Sequence, residues 1–269
     1  MLKNIALNQG TIRHLPLEEA LNIALHSKYP AFGVWSERVF TEIDAGRDEE
    51  EICQIIKDSG MKIVEFIHLK EWLFIEGTEK KTAFKHVETM CRIAQKIGAE
   101  CITAPAYGFE GDEASGIQNF KDFCDIAAHY QVKVAIEFVP CFKVGDLLSA
   151  YNIVESANKT NGGIVADTFH VFKGKTQLSD FLQIPIDKIF LVHLCDGAKQ
   201  ETAIDFIEEA RGYRLFPGQG YFDLQSLVDV LNQRGYAGYY SLEVLNKNFV
   251  NRDPHAVARE GMQSFANYN

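Results

Sequence analysis

Long apolar runs are missing from this 269-residue chain: no stretch approaches the roughly eighteen residues that a membrane span needs. The opening MLKNIALNQGTIRHL has neither a long apolar core nor a small-residue cleavage site. A cytoplasmic protein is therefore expected. Positive charge is scarce, with 27 Lys and Arg against 37 Asp and Glu and a formal net charge of −10. That balance argues against partners rich in phosphate, nucleic acid and anionic membrane alike, because neutralising them takes a basic surface. No CxxC pair or tight framework joins Cys53, Cys91, Cys101, Cys124, Cys141 and Cys195. They read as reduced, packed thiols of a reducing compartment, and Cys195, between His193 and Asp196, is read the same way. A glycine-rich phosphate loop is also absent. LNQGTIRHL, after the first apolar run, carries only Gly10, so the dinucleotide fingerprint of an open doubly wound sheet is not there.

What is present is alternation. Apolar, β-branched runs at 5–8, 32–36, 62–69, 101–106, 134–140, 163–168, 189–194 and 239–245 suit strands buried on both faces. Between them lie helical patterns at 16–27, 48–59, 80–97, 114–130, 146–158, 176–183, 223–234 and 254–266. Pro16 near a first turn, the acidic start at 48–51, Gly60 and Gly98 as stops and Asp223 as an N-cap support them. Eight strand–helix units without a linker predict a single (β/α)8 TIM barrel over 1–269. The longest connection, 196–222, follows the seventh strand. In such barrels that end carries the active site, so it is a candidate lid or substrate wall.

Four acidic or imidazole residues fall near the ends of four successive runs: Glu137 in VAIEFVP, Asp167 in GGIVADTFH, His193 in IFLVHLCDG and Glu243 in YYSLEVLN. Period two places Ala135, Glu137 and Val139 on one face, the expected barrel interior. A carboxylate there must be paired, protonated or metal-bound. Each residue alone has an ordinary explanation: an ion pair for Glu137 or Glu243, an N-cap for Asp167, a satisfied core histidine for His193. Four together suggest one divalent-metal site, because four such buried groups without an ion are costly to fold around. Oxygen-rich ligation favours Mn²⁺, with Zn²⁺, Co²⁺ and Mg²⁺ as alternatives. His170 follows Asp167 by one turn, and Asp196 is a candidate partner for His193. Arg214, with Arg211 equally eligible, stands before the PGQG turn and could offset the acidic charge. Glu37, His68 and Glu71 near the second and third strands are candidate pocket residues, as are Trp35, Trp72, Tyr107 and Phe109 for ring stacking. No cluster of Lys and Arg suggests a phosphate site.

The series AIEFVP, VADTFH, LVHLCDG, RLFPGQG and YYSLEVL resembles the sugar phosphate isomerases and epimerases of the xylose-isomerase-like TIM-barrel superfamily. The group includes ketose 3-epimerases, inosose dehydratases and isomerases, and hydroxypyruvate isomerases. The resemblance implies one divalent metal held by Glu137, Asp167, His193 and Glu243, with His170 and Arg214 contacting a carbohydrate substrate. It also implies that Glu137 and Glu243 act as acid and base on opposite faces of the reacting carbon. The metal would stabilise an enediolate, and the same machinery serves epimerisation, isomerisation or dehydration. Apurinic endonucleases share the four positions but add further histidines and an aspartate. Here APAYG and RLFPGQG lack them, and the charge is wrong for DNA. A sugar-binding barrel without turnover is the other alternative. A homodimer or homotetramer through Phe249, Phe265 and Tyr268 is a further expectation.

Overall fold

The eight apolar runs form eight strands: β1 Ile5–Asn8, β2 Ala31–Trp35, β3 Lys62–Ile67, β4 Cys101–Pro105, β5 Lys133–Glu137, β6 Gly162–Asp167, β7 Ile189–Leu194 and β8 Tyr239–Leu242. In the computed structural model, which describes residues 2, 4–199 and 205–268, they close in sequence order into one all-parallel barrel. Closure is made by β8 against β1, with Ile5 opposite Tyr240 and Leu7 opposite Leu242.

The helices are α1 Leu17–His26, α2 Ser36–Asp44, α3 Glu49–Asp58, α4 Gly77–Ile97, α5 Glu113–His129, α6 Leu147–Ala157, α7 Thr168–Lys173, α8 Phe206–Gly212, α9 Leu224–Gln233 and α10 Pro254–Ser264. Aspartates supply many of their caps: Asp48, Asp112, Asp146, Asp223 and Asp253 each accept from a first-turn backbone N–H.

Three differences from the sequence pattern matter. Helix α2 was not expected; it buries only Ser36 and Val39, although Val39, Phe40 and Ile43 keep a helical spacing and the latter two pack against the core. The helix expected at 176–183 is a short 3-10 turn, Leu178–Leu182. Its place is taken by α7, which starts directly at the end of β6 with Asp167 accepting the Phe169 N–H at 2.7 Å. Third, the 196–222 connection contains α8, while its residues 200–204 lie outside the described residues.

The core has two layers. Large side chains such as Phe32, Phe66, Phe120, Phe123 and Phe138 fill the space between strands and helices. A second cluster takes one residue from each of β1 to β7, namely Ala6, Ala31, Val64, Cys101, Ala135, Val165 and Leu191, with Tyr239 from β8 against it. A cluster fed by every strand of a closed barrel sits on its axis. Phe249, Phe265 and Tyr268, expected on an exposed assembly surface, are instead buried in the outer core. The large exposed apolar residues include Phe109, Leu182, Tyr221 and Val250.

Candidate active site and metal centre

The strand ends bring the four predicted ligands together. Glu137 ends β5, Asp167 ends β6, His193 lies in β7 and Glu243 follows β8. All four are buried, and one ligand atom from each falls within 4.8 Å of all the others. His193 Nδ1 lies 3.4 Å from Glu137 Oε1 and 3.5 Å from Glu243 Oε2. That nitrogen is fully buried and has no hydrogen-bond partner. Three carboxylates around an unpaired imidazole nitrogen are a donor set that fits a divalent cation. Among the described residues a second cluster of potential ligands, Glu49, Glu50 and Cys53, has both its carboxylates paired with Arg92 or Lys96.

What turns His193 this way is Glu65, a residue with no role in the sequence reading. Its carboxylate accepts from His193 Nε2 at 2.8 Å, directing Nδ1 toward the other ligands. Glu65 is wholly buried and also accepts from Asn8 Nδ2 at 3.1 Å, Ser241 Oγ at 2.6 Å and Thr103 Oγ1 at 3.1 Å. Gly33 makes room for it: a Cβ there would stand 2.6 Å from Glu65 Oε1.

Asp196, the expected partner of His193, does something else. It accepts from the N–H groups of Gly197, Gly218 and Phe222, and its backbone pairs with Leu215. It thereby ties the PGQG turn to the end of β7. Gly220 passes so close that a Cβ would lie 2.2 Å from Asp196 Oδ1 and from Gly197 O.

The tied loop delivers Arg214 into the site. Its Nη1 donates to Asp167 Oδ2 at 2.8 Å and Glu243 Oε2 at 3.0 Å, and its Nε to Ala210 O at 2.7 Å. The guanidinium also stacks over Phe169. His170, carried inward by α7, has Nε2 3.6 Å from Asp167 and 3.8 Å from Glu137. Cys195 is buried beside Arg214, and burial pushes its thiol up to about 12, as a packed and inert cysteine requires.

The environment separates the carboxylates. Burial pushes Glu243 up to about 7, against the pull of His193 and Arg214. Burial acts on Asp167 in the same direction, but Arg214, His170 and His193 overcome it and hold the group at about 2. Burial lowers His193, yet Glu65, Glu243 and Glu137 outweigh it and raise it well above an ordinary histidine. Two carboxylates pushed apart in this way are a common feature of acid–base sites.

Above these groups opens a cavity of about 260 Å³, below the roughly 300–1,000 Å³ of drug-sized pockets. Trp35, His68, His170, Arg214 and Glu37 line it, as the sequence suggested, and so does Tyr107. Trp35, His68, Tyr107 and Phe142 form a run of edge-to-face contacts along one wall. Two expectations fail. Glu71 is exposed and is not among the lining residues. Trp72 is wholly buried, packed on Phe120 and Phe123 and donating to Pro105 O. The rim also holds Arg13, Lys70 and Arg211, three cations far apart in the chain that only the fold brings together.

The chain is 32% identical over 130 residues to an inosose isomerase of Halalkalibacterium halodurans, covering 48% of this chain and 45% of that protein. It is 27% identical over 225 residues to a 3-dehydroshikimate dehydratase of Pseudomonas aeruginosa, covering 81% of this chain and 34% of that one. The chain thus spans less than half the length of either relative. Among solved structures, an IolI protein with a binding zinc atom superposes with a TM-score of 0.88 at 19% identity, over 98% of this chain and 97% of the other. Residues 25–268 match the family model described as xylose isomerase-like TIM barrel, and with the closed eight-stranded barrel this places the chain in that family.

Proposed function

We propose that this protein is a divalent-metal-dependent isomerase or epimerase of a small keto sugar, inosose or related polyol, working through an enediolate. The observation that carries the reading is the unpaired, buried His193 Nδ1 facing Glu137 and Glu243, with Asp167 completing the set. Glu137, Asp167, His193 and Glu243 would hold the ion. Mn²⁺ is favoured by three oxygen ligands, and the zinc of the IolI structure shows that a neighbour of this fold binds a divalent ion. When bound, the ion supplies Lewis-acid stabilisation of the oxyanion that develops beside the carbonyl.

The chain's own residues do the rest. Glu137 and Glu243 approach His193 Nδ1 from separate strands. In this reading one removes a proton alpha to the carbonyl and the other returns a proton to the opposite face. Burial raises Glu243 to about 7 in the ion-free site, and a bound cation would favour its ionised form, the form a base requires. His170 and Arg214 orient substrate oxygens, and the Trp35–His68–Tyr107 wall contacts the carbon skeleton. The likeness to a 3-dehydroshikimate dehydratase favours a second outcome on the same site: the same proton abstraction followed by loss of water.

The test is proton NMR in D₂O. The Mn²⁺-loaded protein is incubated with a panel of ketoses, an inosose, hydroxypyruvate and 3-dehydroshikimate, and the metal is removed before recording. Loss of one alpha-proton signal is expected, abolished in Glu137→Gln and Glu243→Gln. Exchange with return of carbon-bound deuterium marks an isomerase or epimerase; a new alkene signal marks a dehydratase. No exchange across the panel by a protein shown to bind metal would refute the enediolate reading for these substrates.

A further inference from the structure

We infer that the substrate carries an oxyanion, a carboxylate or a phosphate ester, held at the cavity rim by Arg13 and Arg211. The inference rests on reading the cavity as a substrate site and narrows its substrate class. Arg13 Nη2 donates to the Arg211 backbone oxygen at 2.9 Å, bringing two residues 198 apart in sequence to one edge of the cavity. Arg211 and Tyr107 line the same cavity. The half-buried Arg13, the exposed Arg211 and the Tyr107 ring thus share the cavity that opens above the acidic ligands.

Five of the nine arginines, Arg47, Arg92, Arg214, Arg252 and Arg259, pair with a carboxylate, and among the described residues Arg13, Arg38, Arg211 and Arg234 do not; of those four only Arg13 and Arg211 line the cavity. Lys70, the third cation of the rim, is held by Glu37. Among the described residues Arg13 and Arg211 have no carboxylate partner, although Arg13 is only partly exposed. In the ion-free site Glu243 attracts the Arg13 guanidinium, because Arg214 offsets only one of the floor's three carboxylates. Once the floor holds a divalent ion, its three carboxylates are balanced by that ion and Arg214, and the rim keeps two uncompensated positive charges.

A neutral sugar needs no such pair. Forked guanidinium donors match the two oxygens of a carboxylate or phosphate. In a chain of net charge −10, a local cationic rim would also draw an anionic ligand to the mouth that the rest of the surface repels.

The experiment is calorimetric titration of the metal-loaded protein with three probes of one shape: cyclohexanecarboxylate, cyclohexyl phosphate and cyclohexanol. At least one anion should bind about tenfold or more tightly than the alcohol. Arg13→Gln and Arg211→Gln should each remove most of that preference and leave cyclohexanol binding unchanged, while Arg211→Lys should restore part of it. Tighter binding of the carboxylate identifies an acid substrate, and tighter binding of the phosphate a phosphate ester. Equal binding of all three probes would overturn the proposal. So would an anion preference that survives both glutamine variants, because the ion on the floor would then be its cause. Matching near-ultraviolet circular dichroism verifies that the variants are folded. No turnover enters the readout, so deuterium exchange with a neutral ketose could succeed while this proposal fails, and the reverse.

Discussion

Replacing Glu65 with Gln tests the logic of the centre without touching a proposed ligand. The carboxylate now accepts four hydrogen bonds, two on each oxygen: Asn8 and Ser241 on Oε1, Thr103 and His193 on Oε2. A glutamine offers one acceptor oxygen and one donor amide. With the oxygen toward His193, the tautomer is kept but the charge that strengthens the imidazole as a ligand is lost. With the amide toward His193, Nε2 must become the acceptor and Nδ1 carries the proton, pointing it at the metal position. Loss of such a supporting group costs roughly 10- to 100-fold in metal affinity, about 1.4–2.7 kcal/mol. In both orientations at least one of Asn8 and His193 faces a changed partner, and an unsatisfied buried polar group adds about 1–3 kcal/mol of lost stability. Competition with a chelator measures the first quantity and urea unfolding of the metal-free protein the second. Unchanged metal affinity in a folded Glu65→Gln protein would show that Glu65 does not set the His193 nitrogen, and the account of the centre given above would be wrong.

Other perturbations follow from the same geometry. Saturating metal at about 100 times its dissociation constant should stabilise the fold by about 2.7 kcal/mol, read as a rise in melting temperature that His193→Ala abolishes; a chelator should reverse it. Gly220→Ala forces a methyl against Asp196 and Gly197 O, so a loss of about 1–3 kcal/mol is expected in chemical unfolding, with weaker substrate binding because the loop carries Arg214. His68 is held down to about 4, first by burial and then by Lys70. Its folded pKa lies below the unfolded value near 6.5, so the unfolded chain takes up the proton first and stability falls as pH drops from about 6.5 toward 4. The full effect is on the order of 3 kcal/mol, and His68→Gln should flatten that part of the stability–pH profile; an unchanged slope would dismiss the assignment.

The sequence was most informative where function and local pattern coincide. Glu137, Asp167, His193 and Glu243 each interrupt or end an apolar run, and strand ends of a parallel barrel converge on one rim, so their meeting could be anticipated from one dimension. Asp48, Asp112, Asp146 and Asp223 declare helix starts within four residues of themselves. The PGQG turn was also visible, though not its purpose. Helix α7 was obscured because its six residues are too few to set a period, whereas α2 went unread although Val39, Phe40 and Ile43 keep helical spacing.

What stayed hidden depended on contacts across the barrel. Glu65 looks like any charged residue in a strand; its partner His193 is 128 residues away, and only closure of β8 onto β1 sets β3 opposite β7. Trp35 and Trp72 are indistinguishable as letters, yet one faces the cavity and the other the core. Phe249, Phe265 and Tyr268 read as terminal and exposed until packing covered them. Arg13 and Arg211 became a pair because the first and seventh strand–helix connections meet at the same rim. Periodicity and caps are short-range properties that the chain writes locally, so sequence alone determined the strands, most helices and the four candidate ligands at the strand ends. The direction of His193, the tie made by Asp196 and the cationic rim are long-range, and only the closed barrel decided them.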